Sequence, residues 1–580
     1  EYYGIIKVPE GKTEQDMSEE EKIQNRWGRV WDVADNVLSA HISRRGNWAY
    51  KPYMAGFPNH AIEKHIALLV EASYTVVTMR QKEYGVSDPE RYIDIIHSPG
   101  LNTSNLTYES NYLASIYIEP FSFYGSTKTG LSIGLSFLDV STGNNKIFET
   151  TSKQEDILYS IDETYRLLQS HRPQEVIIYV GDIQKLSGQF GEQEHIRLTA
   201  ESSLTQEFLI KTLELYKTTY HFRRTEPKHK DKTYQNEILA RIFENENKMI
   251  MVEYLNLMYY TVGLKAYICM LDFAYIHGDI ITKKIRKPSI ITDKKKLILN
   301  HNSIQQLEII ADKNKTYAKE TKYDSLISIL SKCRTSMGKR LFRERLCQPI
   351  TDIKILQKRY DQIEYFRTPL VNNDSESVPR YRRYEAYLAS VGDLERYHRN
   401  VQMGDVLPST FCSVHRSYTS IDNLMTEMGE DMDLFFDKTL VKQFRKFREE
   451  YMNMFDLSNM YNLHRDKIYT NIFRRGIHDE LDKLQGKMDA FNNLFKLAAD
   501  ELSTYIHDPR NKKNELMVKI DKNETDGKYL TCTKRRGEFL KTGLKNAGNP
   551  TIDIKASEHL TVSINSLEIE YKKRKNVTTI

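Results

Sequence analysis

SLISILSKCRTSMGKRLFRERLCQPITDIKILQKRYDQIEYF, residues 325–366, decides how the middle of the chain folds. Leu326, Ile329, Leu330 and Cys333 recur at helical spacing and give a first helix an apolar stripe. Thr335 is placed to cap a second helix, whose Met337 and Leu341 continue the stripe. Pro349 stops that helix. Thr351 and Asp352 then open a third, with a capping hydroxyl and a carboxylate at its positive end. Leu356, Tyr360 and Ile363 are its expected inner side. The pattern predicts three packed helices and holds no catalytic constellation.

The surrounding chain has 580 residues, too many for one hydrophobic core, so several domains are expected. Charged residues make up 28% and hydrophobic ones 40%, the balance of a water-exposed protein rich in helix formers. No run approaches eighteen consecutive apolar residues, so no membrane partner is expected. Residues 1–30 lack the charged-then-apolar order of a signal peptide. The sequence opens with Glu1 rather than Met, which suggests a piece of something longer. Cys269, Cys333, Cys347, Cys412 and Cys532 are far apart and form no CxxC pair. They read as small core residues in a reducing compartment, not as a zinc ribbon or disulfide framework. The net charge is +5, but residues 505–580 hold 16 Lys+Arg against 10 Asp+Glu, so residues 1–504 sum to −1. A basic end on a near-neutral body points to a polyanion, although a solvated charged face gives the same balance.

Further stretches organise the chain. In MAGFPNHAIEKHIALLVEASYTVVTMRQ, residues 54–81, Asn59 is expected to cap a helix with Ile62, Ile66, Leu69 and Val70 inside, and Tyr74 to Met79 reads as a strand. His60 has no nucleophile or carboxylate partner in pattern and reads as structural. Between Leu131 and Val140, Ile133, Leu135 and Phe137 alternate with Ser132, Gly134 and Ser136, which predicts a half-buried strand. Gly143-Asn144-Asn145 turns it back. An amphipathic helix (Ile157, Leu158, Ile161, Tyr165, Leu168) and the buried strand Val176 to Val180 follow. Arg223 to Lys232, with Pro227 and few apolar residues, reads as a linker. Helical patterns then dominate to about Phe473, and KYLTCT, residues 528–533, alternates as a strand ending in Lys534-Arg535-Arg536.

Residues 325–366 resemble the core of the MutS mismatch-recognition family, in which a run of the type LLxxL…TxMGxRxLxxWLxxPxxDxxxLxxRxxxIxxF occurs. Residues 54–81 resemble that family's MAGxPxHAxxxyxxxLvxxGxxVaixeQ segment, and VGDLER at 391–396 its VGDLERI core. LSIGLSFLDVSTGNNKIFE echoes the first hairpin of its RNase H-like connector, and GIHDELD at 476–482 is similar to the GxxxELD opening of its clamp. LILNHNSIQQLEI is similar to LxLDxxTxxNLEL, with Asn300 in place of Asp and Gln306 in place of Asn. The resemblance implies a multi-domain α/β plus mainly α chain. Its parts would be a mixed α/β mismatch-binding domain (1–107), an RNase H-like connector (108–225), a long-helix core and lever (226–475) and a β-containing clamp (476–580).

In this family a Phe wedge enters the minor groove and a Glu two residues on hydrogen-bonds the displaced base. Glu1-Tyr2-Tyr3-Gly4 looks like the tail of that FYExYG motif, which would make Glu1 the recognition carboxylate; an ordinary terminal carboxylate is the alternative. Arg44 and Arg45 precede the MAGFP loop where the family often has a basic residue. Lys512, Lys513, Lys534, Arg535 and Arg536 are the candidate phosphate contacts of the clamp. Lys572-Lys573-Arg574-Lys575 is basic too.

The resemblance implies an ATP- and magnesium-dependent motor, but a phosphate loop needs GxxxxGK[ST]. At Gly11-Lys12-Thr13 the first Gly is replaced by Ile6. ATP hydrolysis is therefore expected of a full-length parent, with no catalytic residue, cofactor or metal site in these residues. Expected partners are double-stranded DNA with mismatches or small loops, a second MutS-type subunit and downstream repair factors, wherever the cell, organelle or virus keeps its DNA. Two rivals stay open: a clamp or scaffold that does not discriminate mismatches, and an RNase H-type nuclease built on Asp139 with Glu149 and Glu175.

Overall fold

The computed structural model describes most of residues 61–580, with the longer gaps at 83–89, 103–108, 181–202, 311–322, 370–377, 464–469, 508–516 and 566–571, and before residue 61 only Leu38, Ile42–Ser43 and Met54–Ala55. The chain divides into two compact units, one of residues 1–406 with 413–429 and one of residues 407–412 with 430–580.

In the first unit, β1 (Ile42–Ser43) pairs antiparallel with β2 (Met54–Ala55). Helix α1 (Ile62–Glu71) follows; its N-cap is Ala61, not Asn59, and no side chain caps it. β3 (Val76–Gln81) and β4 (Arg91–His97) form an antiparallel ladder.

A six-stranded mixed sheet comes next. It is built from β5 (Tyr112–Ser122), β6 (Thr129–Asp139), β7 (Asn144–Thr151), helix α2 (Tyr159–His171), β8 (Glu175–Val180) and β9 (Thr219–Arg224). Helices α3 (Lys232–Ile242) and α4 (Thr261–His277) lead to a last short strand, β10 (Ser289–Ile290). The strand order is β10-β7-β6-β5-β8-β9, antiparallel from β7 through β5 and parallel beyond. Strand β6 is buried on both faces, not half-buried as its alternation predicts. Ile133, Leu135 and Phe137 meet Ile161 and Leu168 of α2. The opposite face carries α4, a helix apolar nearly all round. Ser136 Oγ donates to Met270 Sδ at 3.4 Å, and a Cβ on Gly134 would lie 2.1 Å from the carbonyl oxygen of Val262. The small residues therefore mark close helix approach, not solvent.

The Arg223–Lys232 stretch is not a free tether. It starts as the edge strand β9, and His229, buried, bonds through Nε2 to Asp272 of α4 at 2.9 Å. Tyr234 OH also donates to Asp272, at 2.7 Å, and Lys228 sits 3.1 Å away. Burial alone would raise the Asp272 pKa, but these partners outweigh it and hold it at about 2. A run poor in apolar residues is thus fixed by buried polar contacts. The sheet's cover extends to Ile290, beyond residue 225.

The decisive stretch forms helices α5 (Leu326–Leu330), α6 (Ser336–Cys347) and α7 (Ile353–Arg367), followed by α8 (Arg380–Ala389) and α9 (Leu394–Met403). Ser325 and Ser328 make a reciprocal capping box on α5. Thr335 Oγ1 accepts from Gly338 N at 3.1 Å, and Asp352 Oδ1 from Lys354 N at 3.0 Å. Thr335 caps where the sequence puts it, whereas on α7 the cap is the Asp352 carboxylate and not the Thr351 hydroxyl; the stripe does not behave as expected. Tyr360 is 61% and Ile363 55% exposed, and no residue of α7 is fully buried. Periodicity identifies an apolar face, but only Leu356 of this one is half-buried among the described residues.

The second unit contains α10 (Lys438–Met454) and the 26-residue α11 (Asp479–Thr504). Then come β11 (Lys519–Asn523), β12 (Gly527–Thr533), helix α12 (Lys534–Ala547), β13 (Thr551–Ser557), β14 (Leu560–Asn565), β15 (Lys572–Lys573) and β16 (Val577–Thr579). Strands β11, β12, β16 and β15 form one sheet in that order, and β13 and β14 a separate hairpin. The far end of α11 packs Ala498, Ala499 and Leu502 against Val518, Leu530, Leu540 and Ile554. Its near end is tied by the GIHDELD motif. Asp482 accepts from Gly476 N at 2.7 Å and from Asn471 Nδ2 at 3.0 Å, with Gly476 in the left-handed region at φ 89°.

Candidate nucleic-acid interface

Three of the candidate cations are placed by the structure, at one point in the second unit. β12 ends at Thr533, whose hydroxyl accepts from Arg536 N at 3.4 Å and caps α12. Lys534, Arg535 and Arg536 therefore form the first helical turn, where the strand reading alone would leave them as a strand end. Lys534 and Arg535 are exposed and Arg536 half-buried. The Arg535 guanidinium lies 5.3 Å from the ring centre of Phe539, one turn on. Three cations at the positive end of a helix oppose its dipole by roughly 0.3–1 kcal/mol each. An anion at that end would meet both the cations and the N-terminal amides.

The sheet beside this turn is basic as well. Exposed Lys519 and Lys528 lie on β11 and β12, and Lys522 stands directly opposite Lys528 in the ladder. Lys528 Nζ donates to Asn492 Oδ1 of α11. Lys572 and Lys573 occupy β15 at the sheet's other edge. Glu1, Arg44, Arg45, Lys512 and Lys513 lie outside the described residues, as do His60 and Gly11-Lys12-Thr13.

The three carboxylates of the six-stranded sheet do not converge. Glu149 Oε2 accepts from Val262 N at 2.9 Å and Gly263 N at 2.8 Å, capping α4. Glu175 accepts from Ser98 Oγ at 2.7 Å and Gly100 N at 3.0 Å, and bonds His221 Nε2 at 2.9 Å. Asp139 Oδ1 accepts from Ser141 Oγ at 2.6 Å, and burial raises its pKa. Each is engaged separately, and among the described residues no group of three or more His, Cys, Asp or Glu could hold a metal ion. This geometry gives two-metal cleavage no centre.

Asp393, Glu395 and Arg396 form a structural ion-pair cluster at a helix junction. Arg340 of α6 reaches Asp393 with both guanidinium arms, at 2.6 and 2.7 Å, and Glu395 at 2.7 Å. The quoted TSMGKR and VGDLER motifs thus meet in space. Arg399, buried two turns into α9, is a contact that sequence reasoning missed, since no pattern distinguishes it from a surface arginine.

A family model described as MutS domain III matches residues 302–561, which contain both of those motifs, α11 and the basic turn. The chain is similar to MutS proteins of DNA mismatch repair over most of its length. It is 28% identical over 537 residues to a mutS homolog of Acanthamoeba polyphaga mimivirus, covering 88% of this chain and 46% of that protein. It is 22% identical to the DNA mismatch repair protein MutS of Petrotoga mobilis, over 87% of this chain and 53% of the relative. For MutS of Caldanaerobacter subterraneus the figures are 24%, 85% and 46%. The chain spans about half the length of these MutS relatives. Among the described residues no helix is long and apolar enough to cross a membrane.

Proposed function

We propose that this chain supplies the duplex-holding and mismatch-probing part of a mismatch repair protein. The observation that carries the reading is the basic turn Lys534-Arg535-Arg536, set at a helix N-terminus beside a lysine-bearing sheet in a MutS-type chain. Such a surface holds phosphates without reading sequence, and specificity then comes from how readily the duplex kinks. In this reading Glu1 contacts the displaced base, Arg44, Arg45, Lys512 and Lys513 add phosphate contacts, and a second MutS-type subunit and downstream repair factors complete the assembly. The names of the relatives support it.

The 580 residues contain no GxxxxGK[ST] loop, so they do not fit ATP and its magnesium in the family's manner. The proposed ATPase activity belongs to a full-length parent, and no step here passes through it.

The test is binding of the 580-residue chain to a homoduplex, a G·T mismatch and a one-base bulge across a salt series. Tighter binding to mismatch or bulge, lost in Glu1→Ala, supports inspection. Equal, purely salt-driven affinity for all three would replace it with a clamp that holds DNA without discriminating.

A further inference from the structure

The connector sheet and the helices that follow it are fastened at one point. The turn between β6 and β7, Asp139 to Gly143, receives two arginines of α9. Arg399 is 1% exposed and donates only to backbone carbonyls: Val140 O at 3.2 Å, Lys283 O at 2.5 Å and Ile281 O at 2.5 Å. No carboxylate pairs with it among the described residues. Gly143, with φ 72°, leaves room for it, since a Cβ there would lie 3.3 Å from Arg399 Cδ. Arg396 donates from Nε to Ser141 Oγ at 3.2 Å and from NH2 to Glu109 O at 2.5 Å.

Helix α6 joins the same place. Arg343 pairs with Glu109, Glu344 with Lys146 of β7 at 3.0 Å, and Arg340 ties α6 to Asp393 and Glu395 of α9. The cluster ties α6 and α9 to each other, to the β6–β7 side of the sheet, to Glu109 just before β5 and to the Ile281–Lys283 segment.

Burying a guanidinium without a counter-ion is expensive, and an apolar residue of similar volume commonly fills such a site at lower cost. What the arginine adds is direction. Its planar fork satisfies carbonyls from two different segments at fixed angles, which a hydrophobic contact does not specify. We infer that Arg340, Arg343, Arg396 and Arg399 form a joint that docks α6 and α9 rigidly on the connector sheet. A displacement of the sheet is then carried into these helices instead of being absorbed between them. The joint stands on geometry within the first unit and does not depend on the DNA reading.

Amide hydrogen exchange of the full chain tests it, comparing Arg399→Lys, Arg396→Gln and, as a control away from the joint, Leu168→Ala. Arg399→Lys keeps the charge and loses the fork. Either joint variant should speed exchange in α6 and α9 by at least about tenfold while β5 and β8 keep their rates. Leu168→Ala should speed sheet and helices together. Equal acceleration of sheet and helices in the joint variants, or no change in α6 and α9, overturns the inference. Should Arg399→Lys fail to fold, the half-buried Arg396→Gln gives the same reading.

Discussion

Gly134 faces Val262 so closely that a single added methyl would sit 2.1 Å from its carbonyl oxygen. Helix α4 approaches the sheet because β6 has no side chain at that point. Gly134→Ala must push α4 outward or bend β6, an overpacking cost of about 1–3 kcal/mol or more. Urea denaturation of the chain should show a lower midpoint, and an unchanged midpoint would mean the helix has slack.

Arg340 is half-buried between Asp393 and Glu395. Replacing it with Met removes the paired hydrogen bonds to half-buried Asp393, leaving that carboxylate only Arg396 at 3.6 Å, at a cost of roughly 1–3 kcal/mol. The double change Arg340→Met with Asp393→Asn should recover part of that loss. A double variant as unstable as the sum of the singles would refute the coupling.

His171 is half-buried, its ring centre 4.4 Å from that of Phe137 in a stacked arrangement. Burial first, then Lys146, pushes its pKa down to about 3. The unfolded chain therefore binds more protons between pH 6.5 and about 3, so stability falls as pH drops through that window, by up to about 1.4 kcal/mol per unit. His171→Phe should flatten this part of the stability–pH curve. An unaltered slope would show that His171 is not its source.

Changing Lys534, Arg535 and Arg536 together to Ala should weaken binding to matched and mismatched duplex alike. The dependence of log affinity on log salt should become shallower by up to about 3 units. The same slope before and after would remove this turn from the DNA contact.

Much of this architecture is legible in the residues, and its failures share a cause. Caps are local, so Thr335 and Asp352 could be read from their own neighbourhood. Burial is not. The Ser132–Gly134–Ser136 face looks solvent-facing until α4, more than a hundred residues on, is laid across it. The opposite error occurs at Tyr360 and Ile363, whose spacing announces an inner face that the described residues leave bare. For the candidate interface, the sequence signalled cations at the end of β12, whereas their setting on a helix start depends on the cap at Thr533. The arginine fork at Arg399 has no sequence signature, because its partners are carbonyls.

Helix α11 has 26 residues, about 39 Å of rigid rod at 1.5 Å per residue. One end is pinned through Asp482 to Gly476 and Asn471, and the other is embedded among Val518, Leu530 and Leu540. Angular motion at the pinned end is multiplied by that length. A tilt of about 5° there moves the far end by roughly 3 Å, the span of one hydrogen bond. A small readjustment of the Asp482 and Asn471 side chains is thereby enough to shift the layer that carries Lys534 by that distance.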